Sequence, residues 1–90
     1  MAVIKFTTNL ERFYPELKPT KVSGNTVSDA LIEVEQNYNG ISDYILDENG
    51  GLREHVNIFI GTEMVKDRLK LMDQLKDSDE VYIMQAISGG

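Results

Sequence analysis

The sequence predicts an α+β fold in which a mixed sheet of four to five strands carries one main helix across one face. Three observations predict it: two short β-rich runs come first, a well-marked helix follows, and alternating apolar runs return in the second half. The chain has 90 residues, of which 41% are hydrophobic, enough for one core but not for two. We therefore expect residues 1–90 to form a single domain with its helix packed on the sheet.

The first two predicted strands cover residues 3–7 and 20–22. Both runs are rich in residues that favour strands, and the second ends at a turn formed by residues 23–25. The stretch between them contains Pro15 and Pro19, which argue against a helix running through it. We expect the two strands to pair with each other.

The main helix is predicted to begin after Thr26. Thr26 stands three residues before Asp29, a spacing that lets side chains bind the free amides of a first helical turn. Asn39 and Gly40 supply a left-handed stop. The apolar residues between these ends recur at helical spacing. They are Val27, Ala30, Leu31, Val34 and Tyr38.

The second half of the chain predicts two more strands joined by small elements. In order, these are a helical turn at 41–46, a loop at 47–51, a strand at 56–60 closed by Gly61 and Thr62, a return at 63–65, and a last strand at 80–87. Between residues 66 and 77, the spacing of Leu69, Met72 and Leu75 predicts a short helical segment.

The composition removes most kinds of catalytic site. The chain has no cysteine, which excludes a disulfide framework, a thiolate metal site and a cysteine nucleophile. His55 is the only histidine, so a nucleophile–base pair of a familiar kind and a metal site of the usual ligands are both improbable. We expect His55 to be solvated, and we expect the protein not to be an enzyme.

Two further patterns have simple structural explanations. Gly50 and Gly51 lack the following Lys-Ser/Thr of a phosphate-binding loop, so a plain turn is expected. An acidic cluster near the end of the chain lacks the spacing and the glycine of a calcium loop, so a solvated face is expected rather than a cation site. The cluster consists of Asp73, Asp77, Asp79 and Glu80.

Charge and hydropathy indicate which partners to expect. The net charge is −6, whereas a nucleic-acid binder needs a basic surface to neutralise phosphates. No apolar run reaches the roughly 20 residues of a membrane span, and nothing at the start resembles a signal peptide. We therefore expect a cytoplasmic protein that binds neither nucleic acid nor membrane and suits basic protein partners.

The remaining candidate for chemistry is the end of the sequence, Gly89-Gly90. Glycine makes up about 7% of average proteins, so this pair arises by chance at a terminus about once in 200 sequences. It follows an apolar strand directly, and glycine without a Cβ can thread a narrow channel. A flexible tail that presents the Gly90 carboxylate is one interpretation. A frayed or truncated end is the other.

The order of elements and several motifs resemble the MoaD/ThiS superfamily of β-grasp, ubiquitin-like sulfur carriers. The likeness covers nearly the whole chain. Residues 50–58 are especially similar to the longer members, the CysO-type carriers and the archaeal ubiquitin-like modifiers. The motifs that carry the resemblance are Val-Asn-Ile-Phe-Ile before Gly61, Asp-Ser-Asp-Glu-Val at 77–81, and Ala-Ile-Ser-Gly-Gly at 86–90.

The resemblance implies a mechanism in which the protein is a co-substrate. A ubiquitin-activating-type adenylyltransferase would join the Gly90 carboxylate to the α-phosphate of ATP, and a sulfur donor enzyme would then displace AMP and leave a thiocarboxylate. A sulfur-accepting synthase would take up the sulfur in the biosynthesis of cysteine or another metabolite. The carrier itself would bind no cofactor, because the activating partner uses the ATP. Gly89 and Gly90 are the implied site residues.

Two other roles stay open within the same resemblance. One is the small subunit of molybdopterin synthase, in molybdenum cofactor biosynthesis, which inserts its Gly-Gly end into a larger subunit. The other is a ubiquitin-like modifier that forms isopeptide bonds with lysine. A thiamine-related role is less favoured, because ThiS proteins usually lack the long segment after the first strand.

The alternation of side chains along the strands predicts a surface for docking partners. Inward-facing positions should form the core with the helix; these are Val56, Ile58, Ile60, Val81 and Ile83. Phe59, Tyr82 and Met84 then fall together on the opposite, open face, where large apolar groups suit a surface for several partners. The alternative is that residues 9–19 fold over and cover them.

Overall fold

A computed structural model describes residues 1–85, apart from the side chain of Asn9. Within that part of the chain, five strands form one mixed sheet and the main helix packs on one of its faces, as the sequence predicted. In chain order the elements are β1 (Ala2–Phe6), α1 (Thr8–Glu11), β2 (Thr20–Val22), α2 (Val27–Asn37), α3 (Ser42–Ile45), β3 (Val56–Ile60), β4 (Glu63–Met64) and β5 (Glu80–Gln85).

The last described strand, β5, lies in the middle of the sheet. The strand order is β2-β1-β5-β3-β4. β5 runs parallel to β1, with Val81 beside Ile4, and antiparallel to β3, with Ile83 beside Ile58. β1 also pairs antiparallel with β2, as predicted. β5 therefore has hydrogen-bonded neighbours on both sides, and it is the strand that leads to the C-terminal residues.

Helix α2 has the ends that its sequence predicts. The backbone N–H of Asp29 donates to Oγ1 of the N-cap Thr26 over 3.1 Å. At the other end, the N–H of the C-cap Tyr38 donates to the carbonyl of Val34 over 2.8 Å, and Gly40 has φ +90°. The apolar stripe of the helix is buried. Its buried residues are Val27, Ala30, Leu31 and Val34.

The core lies between α2 and the inner face of the sheet. Four of the five strand residues predicted to face the helix are fully buried, and Ile60 is half-buried and packs against the core. No polar or charged residue is buried in residues 1–85. Since burial of apolar area is the main favourable term in folding, this single layer stabilises the domain.

The segment at 9–19 packs on the helix side of the molecule and does not cover the outer face of the sheet. Leu10 and Leu17 are buried in the core. The ring of Phe13 stacks on that of Tyr44 in α3 with a centroid distance of 4.7 Å. The short helix α1 ends at Glu11, so no helix passes through the prolines, as expected, although α1 itself was not predicted.

The helical segment predicted between residues 66 and 77 is wrong. No helix or strand forms there, and two of the three residues that suggested one are exposed: Leu69 at 79% and Met72 at 56%. Leu75 is buried, and the other buried residue of the stretch is Leu71, which had not been singled out. Leu71 has φ +57°, a conformation incompatible with a helix.

The physical reason for this loop is the side chain of Asp67. Its carboxylate accepts hydrogen bonds from the backbone N–H groups of Leu69, Lys70 and Met72 over 3.0–3.2 Å. These bonds compete with the backbone hydrogen bonds of a helix, because short side chains such as that of aspartate can bind neighbouring N–H groups. The N–H of Leu71 instead reaches the carbonyl of Asp67.

The smaller elements agree with the sequence. The helical turn at 41–46 contains α3, and the loop at 47–51 is a turn in which Asp47 accepts from Asn49 and Gly51. Gly61 has φ +64° in the turn that leads from β3 to the short return strand β4. The last predicted strand is present through Gln85, and its final two residues lie outside the described part.

Candidate functional site

The predicted reactive residues, Gly89 and Gly90, lie outside the described residues, as does the flexible tail expected there. The structure instead describes the strand that leads to them. Val81 and Ile83 of β5 are each 1% exposed, and β1 and β3 flank the strand on either side. The residues that follow β5 are therefore attached to a buried, central strand of the sheet.

The three residues predicted for docking lie on the face of the sheet opposite α2. Phe59 of β3 stands directly beside Tyr82 of β5, and both are half-buried. Met84 is 48% exposed and pairs with Asn57. Their docking role stays a prediction, but no described segment covers Met84.

A fourth apolar side chain joins this surface and was missed in the sequence. Met64 of β4 is paired with Phe59 and is 49% exposed. A two-residue strand has too little alternation to assign its face from the sequence, so only the pairing of β3 with β4 reveals it. We call Phe59, Met64, Tyr82 and Met84 together the open-face patch.

A charged pair borders the open-face patch. Nζ of Lys5 lies 2.9 Å from Oε1 of Glu80 and 5.4 Å from the centroid of the Tyr82 ring, and Oη of Tyr82 donates to Oε2 of Glu80 over 3.2 Å. The hydrogen bond to Glu80 raises the pKa of Lys5, and the same bond lowers the pKa of Glu80. Both side chains are exposed, so the pair adds little stability, but it fixes the orientation of the Tyr82 ring.

The other candidates from the sequence have structural roles or are solvated. His55 is exposed in the turn before β3. In the acidic cluster, Asp73 accepts two backbone N–H groups at 2.9 and 3.0 Å, Asp79 accepts one at 2.7 Å, and Glu80 pairs with a lysine. Across the described residues, no group of three or more His, Cys, Asp or Glu side chains is placed to hold a metal ion.

The described part also contains no helix long and apolar enough to cross a membrane.

Gly50 has φ +86° in the turn after α3, in agreement with the plain turn predicted for it.

A mixed five-stranded sheet with one helix across it, and with the first and last strands parallel at its centre, defines a β-grasp, ubiquitin-like protein. Residues 4–90 match the ThiS family, so the match runs through Gly89 and Gly90. The chain belongs to the ThiS family.

Its relatives include named sulfur carriers. The chain is 35% identical over 75 residues to the sulfur carrier protein CysO of Mycobacterium bovis, covering 81% of each sequence. Among solved structures it resembles the Amycolatopsis orientalis BexX/CysO complex, with a TM-score of 0.86, 26% identity and full coverage of both chains. It also resembles CysO of Mycobacterium tuberculosis, with a TM-score of 0.83, 29% identity, and coverage of 97% and 100%.

These likenesses support a sulfur-carrier role for the chain. Sulfur carrier proteins are generally carriers rather than catalysts.

Proposed function

We propose that this protein carries sulfur as a thiocarboxylate on Gly90. A ubiquitin-activating-type enzyme adenylates the Gly90 carboxylate, and a sulfur donor enzyme converts the adenylate to the thiocarboxylate. The carrier then delivers sulfur to a synthase that makes cysteine or another sulfur-containing metabolite. The observation that carries the proposal is the family match through residue 90, on a fold whose central strand leads toward that residue.

The chemistry explains why a partner must activate the carrier. A carboxylate is a poor electrophile, so its oxygen first attacks the α-phosphorus of ATP, and the bond from that phosphorus to pyrophosphate breaks. The product is a mixed anhydride. When hydrosulfide is the donor, its sulfur attacks the carbonyl carbon of the anhydride. The bond from that carbon to the AMP oxygen breaks, AMP leaves with the electron pair, and the proton of the new thioacid passes to solvent. The partner supplies nucleotide, magnesium and the stabilisation of charge in both steps.

The open-face patch is the surface proposed to hold these partners. It places two half-buried aromatic side chains beside two exposed methionines, and methionine adapts its shape to different partners. Since Met84 belongs to β5 itself, a partner docked on the patch is aligned with the strand that leads to Gly90. A CysO protein occurs in a complex with BexX, which supports the expectation of protein partners.

The activated carboxylate is tested by changing the tail alone. Deletion of Gly90, or replacement of Gly89-Gly90 by Ala-Ala, is expected to abolish ATP–pyrophosphate exchange catalysed by the activating enzyme of the same host. The melting temperature should stay unchanged, because neither residue has a side chain that could pack in the core. Exchange at the wild-type rate by the deletion variant would contradict the proposal.

A second measurement addresses the sulfur itself. Protein purified from its native host should include a form heavier by the difference between one sulfur and one oxygen atom. Fragmentation in the mass spectrometer should locate that difference at Gly90. Finding the carrier instead linked to lysine residues of other proteins would favour a modifier role.

A further inference from the structure

A surface cleft on the helix side of the molecule is lined mainly by aromatic rings. Its volume is about 250 Å³. Its most exposed ring is Phe13, with 58% of its surface accessible to solvent. The proposed sulfur chemistry uses none of these residues. The lining consists of Phe13, Tyr14, Pro15, Glu16 and Tyr38.

The rings that form the cleft are held in place by one another. Phe13 stacks on Tyr44 with an interplanar angle of 23°, which leaves its remaining surface open. Tyr14 meets Tyr38 and Tyr44 edge-on, with centroid distances of 6.4 and 6.0 Å, and its hydroxyl donates to the carbonyl of Asn39. Such contacts fix the rings, so the cleft exists before any ligand binds.

The topology places this cleft at the end of the sheet where the parallel strands β1 and β5 finish. The ring of Tyr38 lies 6.2 Å from that of Phe6, the last residue of β1. Phe6 stands beside Ile83 in the parallel pair of β1 and β5. The cleft therefore lies at the end of the sheet at which β5 leaves the described residues.

The charged side chains that line the cleft or act on its Tyr14 are acidic. Glu16 is the charged residue among those that line it. Burial raises the pKa of Tyr14, and the nearby Tyr44 and the carboxylates of Glu35 and Asp43 raise it further, which indicates a negative local potential. The whole chain also carries a net charge of −6.

We propose that this cleft binds an arginine side chain of the partner protein that acts on Gly90. A guanidinium is planar and weakly hydrated, so it stacks on aromatic faces such as Phe13 more readily than an ammonium does. Glu16, which lines the cleft, offers a carboxylate that can accept two N–H groups from the same guanidinium. The partner half of this inference rests on the proposed function, whereas the chemistry of the cleft does not.

The chemistry of the cleft is tested without any partner. In NMR titrations of the full chain, N-acetyl-arginine amide should shift the ring resonances of Phe13, Tyr14 and Tyr38 more than N-acetyl-glutamine amide does. The variants Phe13→Ala and Glu16→Gln should reduce these shifts. Equal shifts with both compounds would overturn the inference.

The same resonances reveal other occupants. If they move when residues 86–90 are deleted, the end of the chain fills the cleft. If they move on dilution, a second copy fills it. Either result would overturn the inference.

The partner is tested by steady-state exchange with the activating enzyme of the same host. Phe13→Ala should raise the KM for the carrier about tenfold with little change in kcat, because it removes binding and not chemistry. The matched control is Met72→Ala, at a residue that is 56% exposed. Met72 lies far from the cleft, because the carbonyl of its neighbour Leu71 accepts from Ser28 in the first turn of α2, whereas Tyr38 of the cleft follows the last turn. This control should keep the wild-type KM.

The outcomes separate the two proposals. If Gly90 deletion abolishes exchange while Phe13→Ala keeps the wild-type KM, the carrier function stands and the arginine partner is wrong. If the wild-type protein supports no exchange at all, the proposed function and the partner named here both fail. The arginine titration then still decides whether the cleft recognises a guanidinium.

Discussion

The two faces of the sheet differ although they share one backbone. Ile83 and Met84 are neighbours in β5, yet Ile83 is 1% exposed and Met84 is 48% exposed. On the inner face, aliphatic side chains pack against α2. On the outer face, the same strands present Phe59 and Tyr82, which are half-buried, and Met84, which is exposed. Because side chains alternate along a strand, the inner face stabilises the fold while the outer face can bind partners.

On the outer face, side chains are held by polar contacts rather than by burial in a core. Lys5, Glu80 and Tyr82 contact one another there across β1 and β5. Exposed ion pairs of this kind contribute little to the free energy of folding. We therefore expect substitutions on the outer face to affect partners and substitutions on the inner face to affect unfolding.

The largest expected effect is on the inner face. Ile83→Ala should lower the free energy of unfolding by about 2–5 kcal/mol, because it removes buried methyl groups and leaves a cavity. Its matched control is Met84→Ala in the same strand, which should change that free energy by no more than about 0.5 kcal/mol. Urea denaturation of both variants measures the difference. Equal losses would contradict the assignment of the two faces.

A smaller effect is expected where carboxylates hold the loops that close the inner face. Glu33 accepts from the backbone of Ser23 and Gly24, with the shortest bond 2.6 Å. Burial alone would raise the pKa of Glu33, but these hydrogen bonds outweigh it and lower that pKa. The pKa of Glu35 is lowered by the backbone N–H groups of Gly40 and then Ser42.

These lowered pKa values predict the pH dependence of stability. A carboxyl group whose pKa is lower in the folded state stabilises the protein above its unfolded pKa, about 4.3 for glutamate. That contribution is lost as the pH falls through the folded pKa. Melting temperatures between pH 7 and pH 3 should therefore fall at the acid end. Glu33→Gln should cost about 1–2 kcal/mol at pH 7 and flatten that fall.

The control for this experiment is an exposed carboxylate in a loop, Glu48. Glu48→Gln should leave both the melting temperature at pH 7 and its acid dependence close to those of the wild type. If Glu33→Gln behaves in the same way, the hydrogen bonds of Glu33 do not hold the loop.

The sequence was sufficient where local signals agreed with one another. Thr26 and Gly40 mark the two ends of α2, and alternation in β3 and β5 assigns their faces. It failed at residues 66–77, where apolar spacing suggested a helix. The side chain of Asp67 holds that backbone in a loop, and a hydrophobic period contains no information about such hydrogen bonds.

The rest of the candidate site depends on strand order, which a single sequence does not determine. Met64 joins the open-face patch only because β4 pairs with β3. Lys5 reaches Tyr82 only because β1 lies beside β5, although 77 positions separate the two residues in the chain. The aromatic cleft likewise combines residues that lie before β2 with Tyr38 at the end of α2.

The smallest expected effect on stability, and the sharpest test of the outer face, comes from Met84→Asp. Because Met84 is 48% exposed and makes no core contact, the free energy of unfolding should change by about 0.5 kcal/mol or less. A carboxylate in the middle of the open-face patch should nevertheless repel an apolar partner surface, since burying a charge without a partner is costly. The KM of the activating enzyme for the carrier should therefore rise, as measured by ATP–pyrophosphate exchange. Met72→Asp adds the same charge at a residue that is 56% exposed and outside the patch, so it corrects for the change in net charge. Equal KM values for the two variants would mean that the outer face does not dock this partner.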